Sequence, residues 1–236
     1  MILALLKELD RVVGSRLHSG VDPSQLVKVE QVFDLTLPSD HREALQRSNG
    51  AEAYAGYLRL FGVGTTESVD SVVWNQHEFW KFAWGDRCAG YWCFAETAWG
   101  DQYAYSLGPL RANGDATVYF LDALSMTPQV VASSFTEFLE KEFIRSAKAP
   151  YDAIMKQARE KFGPLEITTH LVYTPSVLLG GMEEIKNVQK MNARSAMICN
   201  GDIAVQLDAG PANGTVKAVQ AYEDELRRMR LRLVWA

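Results

Sequence analysis

Residues 91–105 read YWCFAETAWGDQYAY, and this stretch decides the fold. Two runs of aromatic and small apolar side chains, Trp92–Ala95 and Gln102–Leu107, flank Gly100-Asp101, the composition of a β-hairpin. The residues between the arms exceed a two-residue turn, so the pattern indicates the hairpin and leaves its register open. Outward from it, Tyr57-Leu58-Arg59-Leu60-Phe61 and Val118-Tyr119-Phe120-Leu121 have strand composition. Ser134 then opens a helix, with Glu137 completing a capping box and Phe135, Phe138, Leu139 and Phe143 as the apolar stripe.

Helices come first in the chain. Ile2, Leu5, Leu6, Leu9, Val12 and Val13 recur at helical spacing, and Gly14 ends that run. Asp22-Pro23 predicts an N-cap and first helical position, with Leu26, Val29, Val32 and Phe33 as the buried face. A third, short helix follows Leu37-Pro38 and ends at Asn49-Gly50, where glycine can take the left-handed terminal position. Helices, then an antiparallel meander, then a packing helix define an α+β fold.

A boundary is expected at Ser146–Pro150, giving a domain over residues 1–148 and a smaller α+β segment over 149–236. In that segment a helix is predicted from Tyr151 to Phe162, a strand over Ile167–Tyr173 and a helical turn over Met182–Val188. Ser195–Gln206 reads either as a helix or as a hairpin about Asn200-Gly201. The chain closes on an alternation, Met229, Leu231, Leu233 and Trp235 against Arg228, Arg230 and Arg232, which predicts a strand with solvent-facing arginines.

The composition narrows the function. A chain of 236 residues, 47% hydrophobic, can bury a sizeable core. No stretch approaches the roughly 20 apolar residues of a membrane span, and the charged N-terminal run is no signal peptide, so a soluble cytoplasmic protein is expected. Three cysteines without a CxxC read as free thiols. The four histidines are scattered with no metal-binding spacing, and neither Gly62-Val63-Gly64 nor Gly180-Gly181 completes a phosphate loop. No nucleophile elbow is present, and Asp115 and Asp122 have no evident partner. No metal, cofactor or catalytic residue is predicted.

Five of the six tryptophans lie between Trp74 and Trp99. Trp92 has strand neighbours and reads as core. Trp74, Trp80 and Trp84 sit among Asn75, Gln76, His77, Glu78, Lys81, Asp86 and Arg87, a mixture that can serve as interface anchors or as core. From Asn49 to Asp101 there are seven acids against three bases (Arg59, Lys81, Arg87). Such a balance repels nucleic acid and attracts a basic protein partner. The contact surface is therefore expected to comprise Trp74, Glu78, Trp80, Trp84, Asp86 and Asp101.

Leu37-Pro38-x-Asp40, Leu45 and Asn49-Gly50 resemble the LP…L…NG helix of the SUKH superfamily, which includes a yeast cell-wall synthesis regulator and many bacterial immunity proteins. Gly100-Asp101-Gln102-Tyr103 is similar to that superfamily's later G-D-x-Y turn, and the helix at Ser134–Ser146 to its closing helix. Phe162-Gly163-x-Leu165, Pro175-x-Val177-Leu178-Leu179-Gly180-Gly181 and the terminal RLRLVW look like the C-terminal half of type VI secretion immunity proteins. The N-terminal half is more SUKH-like than the domain that usually precedes that segment. The resemblance implies a SUKH-like antiparallel sheet with flanking helices. It also implies a bacterial immunity protein that occludes a cognate toxin domain and has no catalysis of its own. A general protein-binding or scaffolding module of the same fold is the alternative, and an enzyme with a site assembled from distant residues is the third.

Overall fold

The structure is a computed structural model that describes residues 1–150 and 152–236. Three helices open the chain: α1 (Ile2–Asp10), α2 (Pro23–Phe33) and α3 (Ser39–Arg47), with strand β1 (Arg16–Leu17) after the first. Asp22 caps α2 by accepting from Ser24 N–H (2.8 Å), as its sequence position predicts. Leu26 and Val29 are buried on α2, whereas Val32 faces solvent. The chain leaves α3 at Ser48 in extended conformation, so Gly50 is not the helix terminus. Gly50 instead adopts φ +90° where the backbone passes Ser68 and Gly62, and a Cβ there would collide with the Ser68 hydroxyl.

The sheet continues with β2 (Ala51–Ala53), β3 (Leu58–Leu60), a short α4 (Ser71–Trp74), β4 (Tyr91–Thr97) and β5 (Gln102–Ser106). Then come α5 (Leu107–Asn113), β6 (Val118–Leu121) and β7 (Pro128–Ala132). The seven strands pair antiparallel in sequence order. The open register of the β4–β5 hairpin resolves into Trp92↔Tyr105 and Cys93↔Ala104, a bulge at Phe94, and then Ala95↔Tyr103 and Glu96↔Gln102. That extra residue is what obscures the register in sequence, because it shifts the alternation by one position.

Each face of β4 serves a different core. Trp92 and Phe94 join α1, α3 and the helical run after β7. That run is continuous, from α6 (Phe135–Phe138) through a π-helical stretch (Leu139–Ile144) to α7 (Arg145–Lys148). Ser134 Oγ accepts from Glu137 N–H, and the Glu137 carboxylate bonds Ser133 rather than its own cap residue. Cys93 and Ala104 face a second core formed with Trp74, Trp80, Trp84 and Met197.

The remainder of the chain adds to both cores: Met155, Ala158, Leu171 and Val188 join the first, and Ala193, Met197, Ile198 and Ala204 join the second. It comprises α8 (Ala153–Phe162), β8 (Thr169–Tyr173), β9 (Val188–Asn192), α9 (Ala193–Ala209) and the hairpin β10 (Val216–Glu223)–β11 (Met229–Trp235). The expected first residue of α8, Tyr151, lies outside the described residues. Met182–Val188 supplies only a single turn at Ile185–Asn187 before β9 begins. Ser195–Gln206 is helical. Gly201 sits mid-helix because a Cβ would come within 2.9 Å of Ala83 O and the Trp84 ring, so it permits close packing rather than a turn. Of the arginines before and within β11, Arg232 is exposed as expected, but Arg228 and Arg230 are not solvent-facing. Arg228 stacks on Phe82 (3.6 Å to the ring centroid), and Arg230 forms a bidentate pair with the buried Asp202.

In the first core His41 is buried, stacks on Phe135 (4.2 Å, 4°) and lies 3.1 Å from Tyr105 OH through Nδ1. Burial pushes its imidazole down to about 3. The unfolded chain binds a proton near the ordinary value of about 6.5. Stability attributable to neutral His41 is thus present above that value and is lost as pH falls toward 3. The expected slope is about 1.4 kcal/mol per pH unit within that window. Denaturant titrations from pH 7 to 4 on wild type and His41→Phe should show this slope in the former and its loss in the latter.

Candidate functional site

Below the second core the sheet carries a buried ion network. Arg59 on β3 donates from Nη1 to Glu96 on β4 (2.8 Å), and both side chains are almost fully buried. His170 on β8 places Nε2 3.1 Å from the second Glu96 oxygen. Gln102 on β5 donates to Gly100 O (2.9 Å) and accepts from Trp74 Nε1 (2.8 Å). Arg59 Nη2 also reaches the backbone carbonyls of Glu166 (3.0 Å) and Thr169 (2.6 Å). Burial alone would push the Glu96 carboxyl up, but His170 and Arg59 outweigh it and hold the group below its ordinary range. The network therefore joins the sheet to the chain entering β8.

A cavity of about 180 Å³ opens at this same seam. Trp99 and Tyr173 stack along its wall with centroids 4.9 Å apart and planes 7° from parallel. Trp99 follows β4 and Tyr173 ends β8, so each half of the chain supplies one ring. Trp99 Nε1 donates to Asp152 Oδ2 (2.6 Å), while Asp152 Oδ1 caps α8 through Ile154 and Met155 N–H. Asp101 accepts from Thr97 Oγ1 (2.6 Å) and from Ala123 N–H (2.9 Å). Asn200 on α9 donates to Ala123 O, closing the far side.

The cleft is acidic. Asp101, Asp152 and Glu183 line it, and among the described lining residues there is no lysine, arginine or histidine. Burial pushes the Asp101 carboxyl up, against the opposing bonds from Thr97 and Ala123. Burial, with the Asp152 and Glu183 carboxylates, pushes the Tyr173 phenol up to about 12, so it remains a neutral donor. Paired aromatic faces beside carboxylates suit a cationic group such as a guanidinium. Among the described residues no group of three or more His, Cys, Asp or Glu side chains is arranged to hold a metal ion.

The six residues expected at a contact surface are not brought together. Trp74 (4% exposed), Trp80 (0%) and Trp84 (0%) are interior, which corrects their expected role as interface anchors. The physical reason lies in the polar residues between them. Asn75 accepts from Cys93 N–H (2.7 Å) and donates to Cys93 O, acting as a strand neighbour for β4. Lys81 is itself buried and donates to Asn75 Oδ1 (2.9 Å) and Tyr91 O (2.6 Å). Those polar side chains thus fasten the segment to the sheet and turn the rings inward. Glu78 and Asp86 are exposed, and Glu78 lies 3.4 Å from Arg228. Asp101 alone of the six lines the cleft.

Sequence reasoning missed Tyr173, Asp152 and Glu183, because no spacing within 149–236 links them to Trp99; tertiary pairing does so, as where Leu171 N–H donates to Ala98 O (2.7 Å). The acidic excess is also resolved. Of the three bases in 49–101, Arg59 and Lys81 are buried and Arg87 pairs with Asp208, whereas Glu67, Glu78 and Asp86 remain exposed.

An antiparallel meander with helices on both faces, and an acidic cleft where a second α+β segment meets it, defines an α+β protein with a composite seam. Residues 20–141 match the SMI1 / KNR4 family (SUKH-1), and the chain belongs to that family. The fold is similar to that in the crystal structure of Atu4351 from Agrobacterium tumefaciens, with a TM-score of 0.55, 10% identity, and 95% of each chain covered. No match was found among curated proteins. Family membership points to an immunity-like or regulatory role. Among the described residues no helix is long and apolar enough to cross a membrane.

Glu96→Gln tests the network that holds this seam. It keeps the shape but leaves the Arg59 guanidinium buried without its counter-charge, and a loss of about 3 kcal/mol or more is expected. The depressed Glu96 group contributes stability above the ordinary carboxylate range that is lost as pH falls through its folded value. Urea midpoints at pH 7 and pH 4 check both parts: the variant should be less stable at pH 7, with the gap narrowing in acid.

Proposed function

We propose that this chain is a bacterial immunity protein that binds a cognate toxin domain in the cytoplasm and occludes it, without chemistry of its own. Family membership is the observation that carries the reading. The acidic, aromatic-walled seam supports a contact for the toxin's basic surface. Glu67, Glu78 and Asp86, exposed in a segment whose own cations are buried or paired, extend the same charge. A toxin that handles nucleic acid or a dinucleotide presents a basic cleft, and complementary charge speeds encounter more than it deepens affinity. Residues 1–148 would act as the SUKH-like domain, with 149–236 as a segment related to type VI secretion immunity proteins that completes the binding face.

Glu183 is the group to alter, because it is exposed and lines the cleft without taking part in the buried network. With a cognate toxin domain as the probe, Glu183→Lys is expected to slow association and to weaken binding about tenfold at low salt. Its melting temperature should match wild type. Titration calorimetry and stopped-flow mixing at two salt concentrations check this. Unchanged binding by the variant would remove the cleft from the interface. Weak binding by wild type to several unrelated proteins, with none to the toxin, would favour a scaffolding module.

A further inference from the structure

The acidic cleft is one of two neighbouring hollows. Leu124, half-buried, lines it and also lines a second cavity of about 520 Å³. α9 contributes to both: Asn200 to the cleft, and Ala204 and Leu207, one and two turns further along the same face, to the second cavity. The loop after β8 is divided in the same way, with Val177 in the cleft and Leu178 in the cavity. The hollows therefore follow one another along α9, with Leu124 as the ridge between them.

Their chemistry differs. At the cleft end Asp101 and Asp152 are engaged by Thr97, Ala123, Trp99 and the first turn of α8. Glu183 is exposed and makes no hydrogen bond or ion pair among the described residues, so its charge is open to a partner. At the other end Leu178 and Leu207, each half-buried, and the exposed Pro128 present apolar surface. Arg87 is the one cation among the described residues that line either hollow, and it is already paired with Asp208. The ridge is held from three sides. Asp122 Oδ1 accepts from Leu124 N–H (3.0 Å) and Ser125 N–H (2.9 Å), Asn200 Nδ2 donates to Ala123 O (3.1 Å), and Arg87 Nη1 donates to Ser125 O (3.3 Å). A groove fixed in this way has little order to lose on binding.

We propose that the two hollows form one groove for an extended segment of the partner protein, with an arginine at the acidic end and an apolar side chain at the other. Such a groove presupposes the toxin contact proposed above and specifies the form of what enters it. The spacing follows from α9: Asn200 to Leu207 spans about 10 Å of helix, the length of about three residues of extended chain. An arginine and a leucine-sized residue, separated by two others, therefore fill both ends. The cleft, at about 180 Å³, admits a side chain but not a helix, whose diameter with side chains is about 10 Å. Aromatic rings beside an open carboxylate favour a guanidinium over the more strongly hydrated ammonium of lysine.

Capped peptides titrated into the isotope-labelled full chain, followed by NMR, test the groove without the toxin. Acetyl-Arg-Ala-Ala-Leu-amide and acetyl-Leu-Ala-Ala-Arg-amide cover the two directions. One of them should bind with a dissociation constant of about 1 mM or lower, shifting the Trp99 indole and the amides around Leu207 together. Citrulline for arginine, serine for leucine, or a spacer of one or four alanines should each weaken that peptide about five- to tenfold. Glu183→Gln should weaken the arginine peptide and leave the citrulline peptide unchanged, and Leu207→Ser should distinguish leucine from serine likewise. A folding defect would weaken all the peptides alike. No binding in either direction up to about 10 mM, or affinity independent of spacer length, overturns the proposal. Toxin-domain binding that falls in Glu183→Lys but not in Leu207→Ser overturns the groove and keeps the cleft contact. Indifference to both overturns the groove and the cleft contact together.

Discussion

The structure depends on keeping one carboxylate, Glu96, ionised in its interior. A buried charge of this kind costs several kcal/mol unless counter-charge and hydrogen bonds surround it. Arg59 supplies the counter-charge and His170 closes the second oxygen, while Gln102 links the site to Trp74. These residues come from β3, β4, β5 and β8, so the network exists only when all four strands hold their register. A slip of one residue in β4 would turn Glu96 toward the apolar side chains of the helical core and away from Arg59. The sheet and the C-terminal segment are thereby fixed to each other by a polar constraint with little geometric freedom, and the cleft beside it inherits a defined shape.

The same constraint accounts for the tryptophans. Once the 74–88 segment is bound to β4 through Asn75 and Lys81, its rings have nowhere to go but the space between the sheet and α9. Trp84 Nε1 donates to Met197 O (2.9 Å), so the second core closes only when α9 is in place. Burying Arg59 and Lys81 has an electrostatic consequence as well. Glu52 and Glu96 leave solvent along with these two cations, so the exposed part of that stretch keeps the negative balance that a count of residues indicates.

What was legible in the sequence follows from range. The helix starts at Asp22 and Ser134 were readable because a cap is a contact across two or three residues. The meander is readable from its order of apolar runs, and the LP…NG and G-D-x-Y elements carry the family resemblance in the sequence itself. The six-residue contact surface was not readable. Whether Trp80 faces water or a core depends on Asn75 bonding a strand 18 residues away and on α9 arriving more than a hundred residues later. Asn200-Gly201 left helix and hairpin both open for a related reason. The pair has ideal turn chemistry, but Gly201 is needed for contact with Trp84 and Asn200 for a bond to Ala123. The arginines of the last strand alternate as solvent-facing residues do, yet Asp202 and Phe82 take up Arg230 and Arg228.

The form of the network bears on how the surface of such a protein can vary. Arg59 grips the C-terminal segment through backbone carbonyls, those of Glu166 and Thr169, and not through side chains. Every residue type offers the same carbonyl, so the side chains around β8 can vary while the grip persists. His170 is the exception, held by its contact with Glu96. The groups that face outward at the seam, Tyr173 and Glu183, stand on β8 and the loop after it, clear of Arg59. β10 likewise hangs on β11, which α9 secures through Asp202 and Gln206. Stability and surface chemistry therefore rest on different atoms: one buried polar knot keeps the segment in place, and the exposed surface can alter its chemistry without loosening that knot.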